Sequence, residues 1–393
     1  MASIDKTGGA VVVIKDPAEV AKSLRKAAEL GNAKAQYGLA LLYASGQGVR
    51  HSVRQALAWY LKAAEQGFAP AQCILGNKYA AGQGVPQDYR KAVFWYLKAA
   101  EQGDPGAQRH LGMLYDAGEG VVRDAEEAEY WYLKAAEQGD AEAQIRLGHM
   151  YDGDQEYMAA TWYRKAAEQG MAEAQRLLGI KFAGGQGVTQ DYLMASFWLL
   201  KAAEQGDASG QWNLGVLYDK GRGVEQDFQK AGYWYSKAAK QEFAPAQASL
   251  ALLYANGQGV KQSYRKALSL WQKAAAQGDA EAQHNLALLY RDGLGVARDI
   301  AVAAHWYRLA AEQGVAEAQC NLGLVYARGD LGAVDYVEAH KWFEIAGMNG
   351  NEAGKANCKH AESLMTPVQI EQARCRATDW IDEYQESQQF ARI

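Results

Sequence analysis

The chain has 393 residues, of which 41 are basic and 46 are acidic, and its formal net charge is −5. Neither sign of charge collects in a long run, so the composition argues against the basic surface that a phosphate backbone requires, and we expect no nucleic-acid partner. At this length the chain forms either two or three globular domains or one repeat array, and 41 glycines with 6 prolines favour the array.

The four cysteines, Cys73, Cys320, Cys358 and Cys375, include no Cys-x-x-Cys pair, so neither a disulfide framework nor a zinc ribbon is indicated. The apolar run at 10–14 is too short for a signal-peptide core or a membrane span. We therefore expect a cytoplasmic protein without a membrane span. A leader removed earlier would instead place the protein in the periplasm or outside the cell.

The N-terminal region precedes the repeats. We predict a flexible tail at 1–15. The segment from Asp16 to Gly31 has the pattern of one isolated helix, with Ala27 and Ala28 in the positions where later helices carry an alanine pair. It is predicted to cap the front of the array.

A glutamine in an Ala-x-Ala-Gln-like motif recurs along the chain at a fixed interval of 36 residues, except for one interval of 31. A period in this range indicates stacked supersecondary units. The glutamines are Gln36, Gln72, Gln108, Gln144, Gln175, Gln211, Gln247, Gln283 and Gln319.

Each unit is predicted to contain two helices, called helix A and helix B, as at 69–80 and 89–102, because apolar residues recur there every three or four positions. A Gly-x-Gly-Val turn joins A to B. A glycine after helix B, such as Gly103, then allows a left-handed turn, and Asp104 caps the next helix A. The fold class is therefore all-α, a solenoid of about nine helix pairs spanning 16–365.

Two units depart from this pattern. The hairpin at 152–157 is five residues short and carries Asp152, Asp154 and Glu156, a set that lacks the remaining ligands of a calcium loop, so we predict no metal there. Glu242 replaces the glycine after one helix B, where a left-handed conformation costs about 1 kcal/mol. We expect that turn to be rebuilt.

The C-terminal segment 366–393 is predicted to be a capping helix. Thr366, Pro367 and Gln369 combine a capping box with proline at the first helical position, and an apolar stripe containing Trp380 follows. Terminal repeats of solenoids need such a seal. The alternative is a helix that binds a partner.

The repeated pattern Ala-x-Ala-Gln-x-x-Leu-Gly-x-x-Tyr, followed by Gly-x-Gly-Val and then by Trp-Tyr-x-Lys-Ala-Ala-Glu-Gln-Gly, resembles the Sel1-like repeat (SLR), a relative of the tetratricopeptide repeat. The resemblance covers roughly residues 16–360. It implies a right-handed α/α superhelix whose bacterial and eukaryotic members act mostly as adaptors. It implies no catalytic activity.

The chain contains no zinc-protease, nucleophile-elbow or phosphate-loop motif. The 7 histidines do not pair at metal-ligand spacing along one helix. We therefore predict no catalytic, cofactor-binding or metal-binding residues.

The surface of helix A that faces away from its buried glutamine is the predicted binding face, and at 100° per residue it holds positions two, five and nine after each glutamine. These columns vary, and asparagine suits hydrogen bonding to an extended peptide. Solvated polar residues without a partner are the alternative. The candidate residues in these columns are Asn77, His110, Arg146, His149, Asn213, Lys220, Asn256, Asn285, Asn321 and Arg328. Trp212, which lies adjacent to this face, is a further candidate as an aromatic anchor.

We expect a non-enzymatic scaffold that binds a protein or peptide on a concave face formed by the A helices. One alternative is an immunity protein that neutralises a bacterial toxin or lipase, in which case the partner is a secreted effector. The other alternative is a hydrolase, which the missing nucleophile and metal set disfavour.

Overall fold

The computed structural model describes residues 3–4, 10–11 and 16–390, with the side chains of 3–4, 10–11 and 387–390 excepted. Two short strands, β1 (Ser3–Ile4) and β2 (Ala10–Val11), pair antiparallel. The rest of the tail predicted at 1–15 lies outside the described residues. Within the described part of the chain, no helix is both long enough and apolar enough to cross a membrane.

The described residues from Pro17 onward form 21 α-helices in tandem. All but the last are 11 to 13 residues long, as at α1 and α8, and short turns connect them. The helices are α1 Pro17–Glu29, α2 Ala33–Ser45, α3 Val53–Glu65, α4 Ala69–Ala81, α5 Tyr89–Ala100, α6 Pro105–Ala117, α7 Ala125–Glu137, α8 Ala141–Tyr151, α9 Glu156–Glu168, α10 Ala172–Gly184, α11 Tyr192–Glu204, α12 Ala208–Lys220, α13 Phe228–Lys240, α14 Ala244–Asn256, α15 Tyr264–Ala276, α16 Ala280–Asp292, α17 Ile300–Glu312, α18 Ala316–Arg328, α19 Tyr336–Met348, α20 Glu352–Glu362 and α21 Pro367–Phe390.

The chain divides into two compact units. The first comprises Met1–Leu178 with Gly185–Thr189, and the second comprises Gly179–Gly184 with Gln190–Ile393. Even-numbered helices from α2 to α18 are the predicted A helices, and the odd-numbered helices that follow them, α3 to α19, are the B helices. Within each unit, A helices pack on the B helix that follows, as α4 does on α5 and α12 does on α13. The predicted all-α solenoid of helix pairs is confirmed.

The predicted aspartate caps are present at the starts of A helices. Asp104 accepts a hydrogen bond from the Ala107 N–H at 2.8 Å, and Asp279 accepts one from Ala282 at 2.7 Å. Each bond satisfies a backbone N–H that has no partner within the helix. These caps fix where each A helix begins.

A buried amide ties three consecutive helices together in each repeat. In α6, the Gln108 side chain is 4% exposed, and its Nε2 donates to the Ala100 carbonyl at the end of α5 at 3.0 Å. Its Oε1 accepts from Gln138 Nε2, just after α7, at 2.8 Å. The same pair of bonds is made by Gln36, Gln72, Gln144, Gln211, Gln247, Gln283 and Gln319, with Asn349 as the donor to the last.

Glycine allows close contact at two further places in the repeat. A Cβ on Gly112 of α6 would lie 2.8 Å from the Tyr132 ring of α7, so the aromatic ring packs directly on the helix backbone. In the A-to-B turn, Gly259 has φ 67° and a Cβ there would lie 2.4 Å from the Phe228 carbonyl carbon. The turn of one repeat therefore rests on the first residue of the preceding helix B.

The expectation for Glu242 was wrong. This residue keeps the left-handed conformation with φ 62°, and the turn is not rebuilt. Its N–H donates to the Ala239 carbonyl at 3.1 Å, and Phe243 N–H donates to Ala238 at 3.3 Å. These bonds match those of the glycine turn at Gly278, whose N–H donates at 3.0 Å. The hydrogen bonds of the turn outweigh the local conformational cost.

The last helix, α21, packs against α19. Thr366 N–H donates to Gln369 Oε1 at 2.9 Å and Thr366 Oγ1 accepts from the Gln369 N–H at 3.4 Å, which is the predicted capping box. Ala377 is buried, and the Trp380 ring lies 5.7 Å from that of Trp342 in α19. The apolar stripe of α21 thus packs on α19, and its role as a cap stays a prediction.

Replacing Gln108 by methionine should destabilise the protein by about 1–3 kcal/mol, because two hydrogen bonds are lost at a buried site. The measurement is the urea-unfolding curve of the variant against the parent chain. The control is Gln83→Met at an exposed turn position, for which a change within about 0.5 kcal/mol is expected. Equal losses in the two variants would contradict a stabilising role for the buried amide.

Replacing Glu242 by glycine should raise stability by up to about 1 kcal/mol, because glycine adopts the left-handed conformation without strain. The matched control is Gly278→Ala. The added Cβ would meet nothing within 4 Å, so any loss of stability comes from the strained backbone conformation. Thermal unfolding should therefore move in opposite directions in the two variants. A lower melting temperature for Glu242→Gly would show that the carboxylate side chain stabilises the turn.

Candidate partner-binding surface

The eleven candidate residues all lie on A helices, and each is exposed or half-buried. In the first unit, Asn77 is on α4, His110 on α6, and Arg146 and His149 on α8. In the second unit, the candidates lie on α12, α14, α16 and α18: Trp212, Asn213, Lys220, Asn256, Asn285, Asn321 and Arg328. The structure therefore places each candidate on a part of helix A that is at least partly accessible to solvent.

In the first unit, a groove of about 410 Å³ lies between α4 and α6. Asn77, His110 and Met113 line its sides, and Tyr96 of α5 lies at its base. The Tyr96 hydroxyl donates to Asn77 Oδ1 at 2.6 Å, and the His110 ring stacks on the Tyr96 ring with centroids 5.2 Å apart. Two of the predicted residues are thus held in place by the same tyrosine.

In the second unit, an equivalent groove of about 530 Å³ lies between α12 and α14. Lys220 and Asn256 are at its rim, Leu252 is on its side, and Tyr235 occupies the position that Tyr96 holds in the first groove. Both grooves therefore arise from the repeat itself. Each combines apolar and polar groups, as peptide-binding surfaces do.

Several predicted residues have their polar groups engaged within the protein. Asn213 Nδ2 donates to the Ser209 carbonyl at 2.9 Å, and Asn321 Nδ2 lies 3.2 Å from His284 Nε2. Asn256 Nδ2 donates to Gln258 Oε1 at 3.2 Å. These bonds reduce the number of asparagine amides that a peptide backbone could use.

Trp212, proposed from the sequence as an aromatic anchor, is held by contacts within the second unit. Its indole N–H donates to Ser249 Oγ of α14 at 3.0 Å, and its ring centroid lies 6.0 Å from that of Phe243. The side chain is half-buried. These contacts join neighbouring A helices and leave part of the ring accessible.

Charged candidates differ in how they are paired. His149 Nδ1 lies 3.1 Å from the Tyr163 hydroxyl and Nε2 lies 3.4 Å from Glu173, while Lys220 pairs with Asp219 at 3.2 Å.

Three candidates keep their polar groups available. Asn285 is half-buried, whereas Arg146 and Arg328 are exposed, and none of the three forms a side-chain hydrogen bond or ion pair with other residues that the structure describes.

Sequence reasoning missed the apolar members of one candidate column. The position five residues after the glutamine holds Leu41 and Leu252, which are 42% and 46% exposed, and also Val216, Leu288 and Leu324, which are half-buried. The column was chosen for its polar variation, so its aliphatic residues were not named as candidates. The helical angle of that position already placed them on the exposed side of helix A.

The environment of His110 favours its neutral form. Burial, and secondarily the Arg109 guanidinium, lower the pKa of His110, while nearby carboxylates of Asp104, Asp140 and Glu142 act in the opposite direction. Arg109 itself is bound by Asp140 at 3.2 Å and by Glu142 at 2.9 Å. The first groove is therefore lined at neutral pH by an uncharged imidazole.

Possible metal ligands lie elsewhere. Within the range that the structure describes, the side chains of His340, Cys358 and Glu362 converge near the C-terminal end of the second unit. The sequence prediction of no metal-binding residues did not consider this group, because its members lie on two different helices. None of the three lines either groove.

Nine consecutive segments of the chain match the Sel1 repeat, at 33–68, 69–104, 105–140, 141–171, 172–207, 208–243, 244–279, 280–315 and 316–351. A protective antigen present in uropathogenic Escherichia coli strains, which displays an SLR fold, is 32% identical with a TM-score of 0.66 over 93% of this chain and 95% of that one. A Sel1 repeat protein from Oxalobacter formigenes is 31% identical with a TM-score of 0.60, over 80% and 95% respectively. Among curated proteins, none matches this chain.

The His110 imidazole should titrate below its ordinary pKa of 6.5. Because the folded state then binds the proton less readily than the unfolded state, the stability from this group is present above about pH 6.5 and is lost as pH falls. Nuclear magnetic resonance of the imidazole measures the pKa, and the melting temperature should fall less on acidification in His110→Gln than in the parent. The exposed His51→Gln serves as control. A His110 midpoint at or above 6.5 would contradict the proposed burial.

Proposed function

The chain belongs to the Sel1 repeat family, and on that premise we propose that it is a non-enzymatic scaffold that binds a protein partner on its A helices. One observation carries this proposal: in each unit, neighbouring A helices form a groove whose walls combine exposed apolar side chains with polar ones. A groove of this kind can receive an extended segment of a partner.

The apolar side chains supply the binding energy in this proposal. Leu252 is 46% exposed beside the second groove, and Met113 lines the first. Covering such side chains with a partner removes apolar surface from water, which favours binding by about 25 cal/mol per Å² before the costs of association are counted. The partner should therefore present apolar side chains at intervals along an extended segment.

The polar groups supply selectivity. Arg146 and Arg328 are exposed, and along with Asn285 they have polar groups that no other described side chain engages. Guanidinium groups bind carboxylates in a two-bond geometry, and an asparagine amide can bond a peptide backbone. We therefore propose a protein segment that carries acidic residues between its apolar ones.

Placing a carboxylate in the second groove should weaken partner capture. In Leu252→Glu, the charge meets the apolar part of the partner, and because the leucine is exposed, the fold should be retained. We expect at least a tenfold weaker dissociation constant, which corresponds to about 1.4 kcal/mol. The partner is first captured from an extract of the source cells by the parent chain and identified by mass spectrometry, and the dissociation constant is then measured by titration with the purified partner.

The matched control is Leu200→Glu, which changes a leucine of 37% exposure on helix B, outside the groove. A second arm compares Asn285→Ala with Asn321→Ala, because Asn285 lacks an internal partner, whereas Asn321 lies beside His284. Asn285→Ala should weaken capture at an unchanged melting temperature. Equal capture by Leu252→Glu, Leu200→Glu and the parent chain would refute a binding role for the groove.

A further inference from the structure

Two pairs of potential ligands face each other at the C-terminal end of the second unit. His340 and Glu344 lie four residues apart on α19, and Cys358 and Glu362 lie four residues apart on α20. Residues at this spacing occupy the same face of a helix, one turn apart. Because α19 and α20 pack together, the four side chains meet between the two helices.

The distances match those of a metal-binding site. His340 Nε2 lies 3.3 Å from Cys358 Sγ and 3.2 Å from Glu362 Oε1, and these three atoms all lie within 4.8 Å of one another. In a tetrahedral zinc site, bonds of about 2.0–2.3 Å place neighbouring ligand atoms roughly 3.3–3.6 Å apart. The two distances from His340 already match this spacing, and the third, between Cys358 Sγ and Glu362 Oε1, is no more than 4.8 Å.

The second nitrogen of His340 supplies an independent observation. The His340 side chain is 0% exposed, and its Nδ1 lies 3.6 Å from Glu344 Oε2. Both atoms are buried, and neither forms a hydrogen bond with the residues that the structure describes. A histidine that binds zinc through one nitrogen commonly donates its other N–H to a carboxylate. Glu344 stands at the position of that carboxylate.

We propose that His340 Nε2, Cys358 Sγ and Glu362 Oε1 form a zinc-binding site, with Glu344 orienting His340 from behind. Imidazole, thiolate and carboxylate are all common zinc ligands. Cys358 and Glu362 line a cavity of about 470 Å³, through which water or another ligand can reach the site.

Arg374 is compatible with this site. Its Nη2 donates to Glu362 Oε1 at 2.8 Å. A carboxylate oxygen has two lone pairs, so Arg374 can keep its bond while the ion takes the place of the contact from His340. The guanidinium also partly balances the charge of two carboxylates and a thiolate.

A nucleophilic role for Cys358 fits the same environment poorly. Burial, and then the carboxylates of Glu344 and Glu362, raise the pKa of the Cys358 thiol to about 11. Reactive cysteines have lowered pKa values and lie among positive charges. A divalent cation bound between these groups would instead stabilise the thiolate form of Cys358.

The test is metal titration of the full chain after treatment with a chelator. Calorimetry with zinc chloride should show one equivalent bound per chain, and zinc should raise the melting temperature because it binds the folded state. Cobalt(II) should give a thiolate-to-metal absorption band that identifies the cysteine ligand. Cys358→Ser should abolish this band and, like Glu362→Gln, weaken zinc binding at least tenfold.

Cys375→Ser is the matched control, because it removes an exposed thiol on α21 outside the cluster. It should leave zinc affinity and the cobalt band unchanged. Melting temperatures measured without metal establish that each variant folds, and Glu362→Gln provides a near-isosteric variant that retains a partner for Arg374. The proposal is overturned if the parent chain takes up no zinc, or if Cys358→Ser and Glu362→Gln bind zinc as tightly as the parent.

Discussion

The buried glutamine of helix A is the constraint on which the rest of each repeat depends. A primary amide has donor and acceptor groups, and burying them without partners costs a few kcal/mol. Gln108 meets this requirement only if the end of α5 and the end of α7 lie on either side of it. The amide therefore fixes the relative positions of three helices. The grooves between A helices follow from that arrangement, since Tyr96 and its equivalents fill the space beneath them.

The repeat separates stability from recognition by position along helix A. Glutamine, leucine and the small residue beneath the aromatic ring are buried, so changes there disturb packing. Positions two, five and nine after the glutamine are at least partly accessible and can change without loss of the shared hydrogen bonds. Trp212 is intermediate, because its indole N–H bonds Ser249 while part of its ring stays exposed. Similar helix pairs can thus carry different surfaces.

Features set by nearby residues were predictable from the sequence, such as the caps at Asp104 and Asp279 and the capping box at Thr366. Glu242 was predicted wrongly because a local conformational cost was considered without the turn hydrogen bonds that oppose it. The candidate surface was predicted as columns of positions. Which amides are engaged depends on residues in neighbouring repeats, as for Asn321 and His284, and one repeat pattern carries no information on such pairs. His340 and Cys358 escaped notice for the same reason.

The hydrogen bonds of the glutamines also give each repeat a direction along the array. The glutamine of helix A donates toward the helix that precedes it and accepts from the end of the helix that follows, and this order is the same in the bonds of Gln36 and of Gln319. A repeat therefore has two different ends, and the end of one repeat is complementary to the start of the next. Duplicating or deleting one 36-residue segment, such as 208–243, preserves this complementarity at both junctions. The number of grooves can consequently change in evolution by whole repeats, without a new interface having to arise.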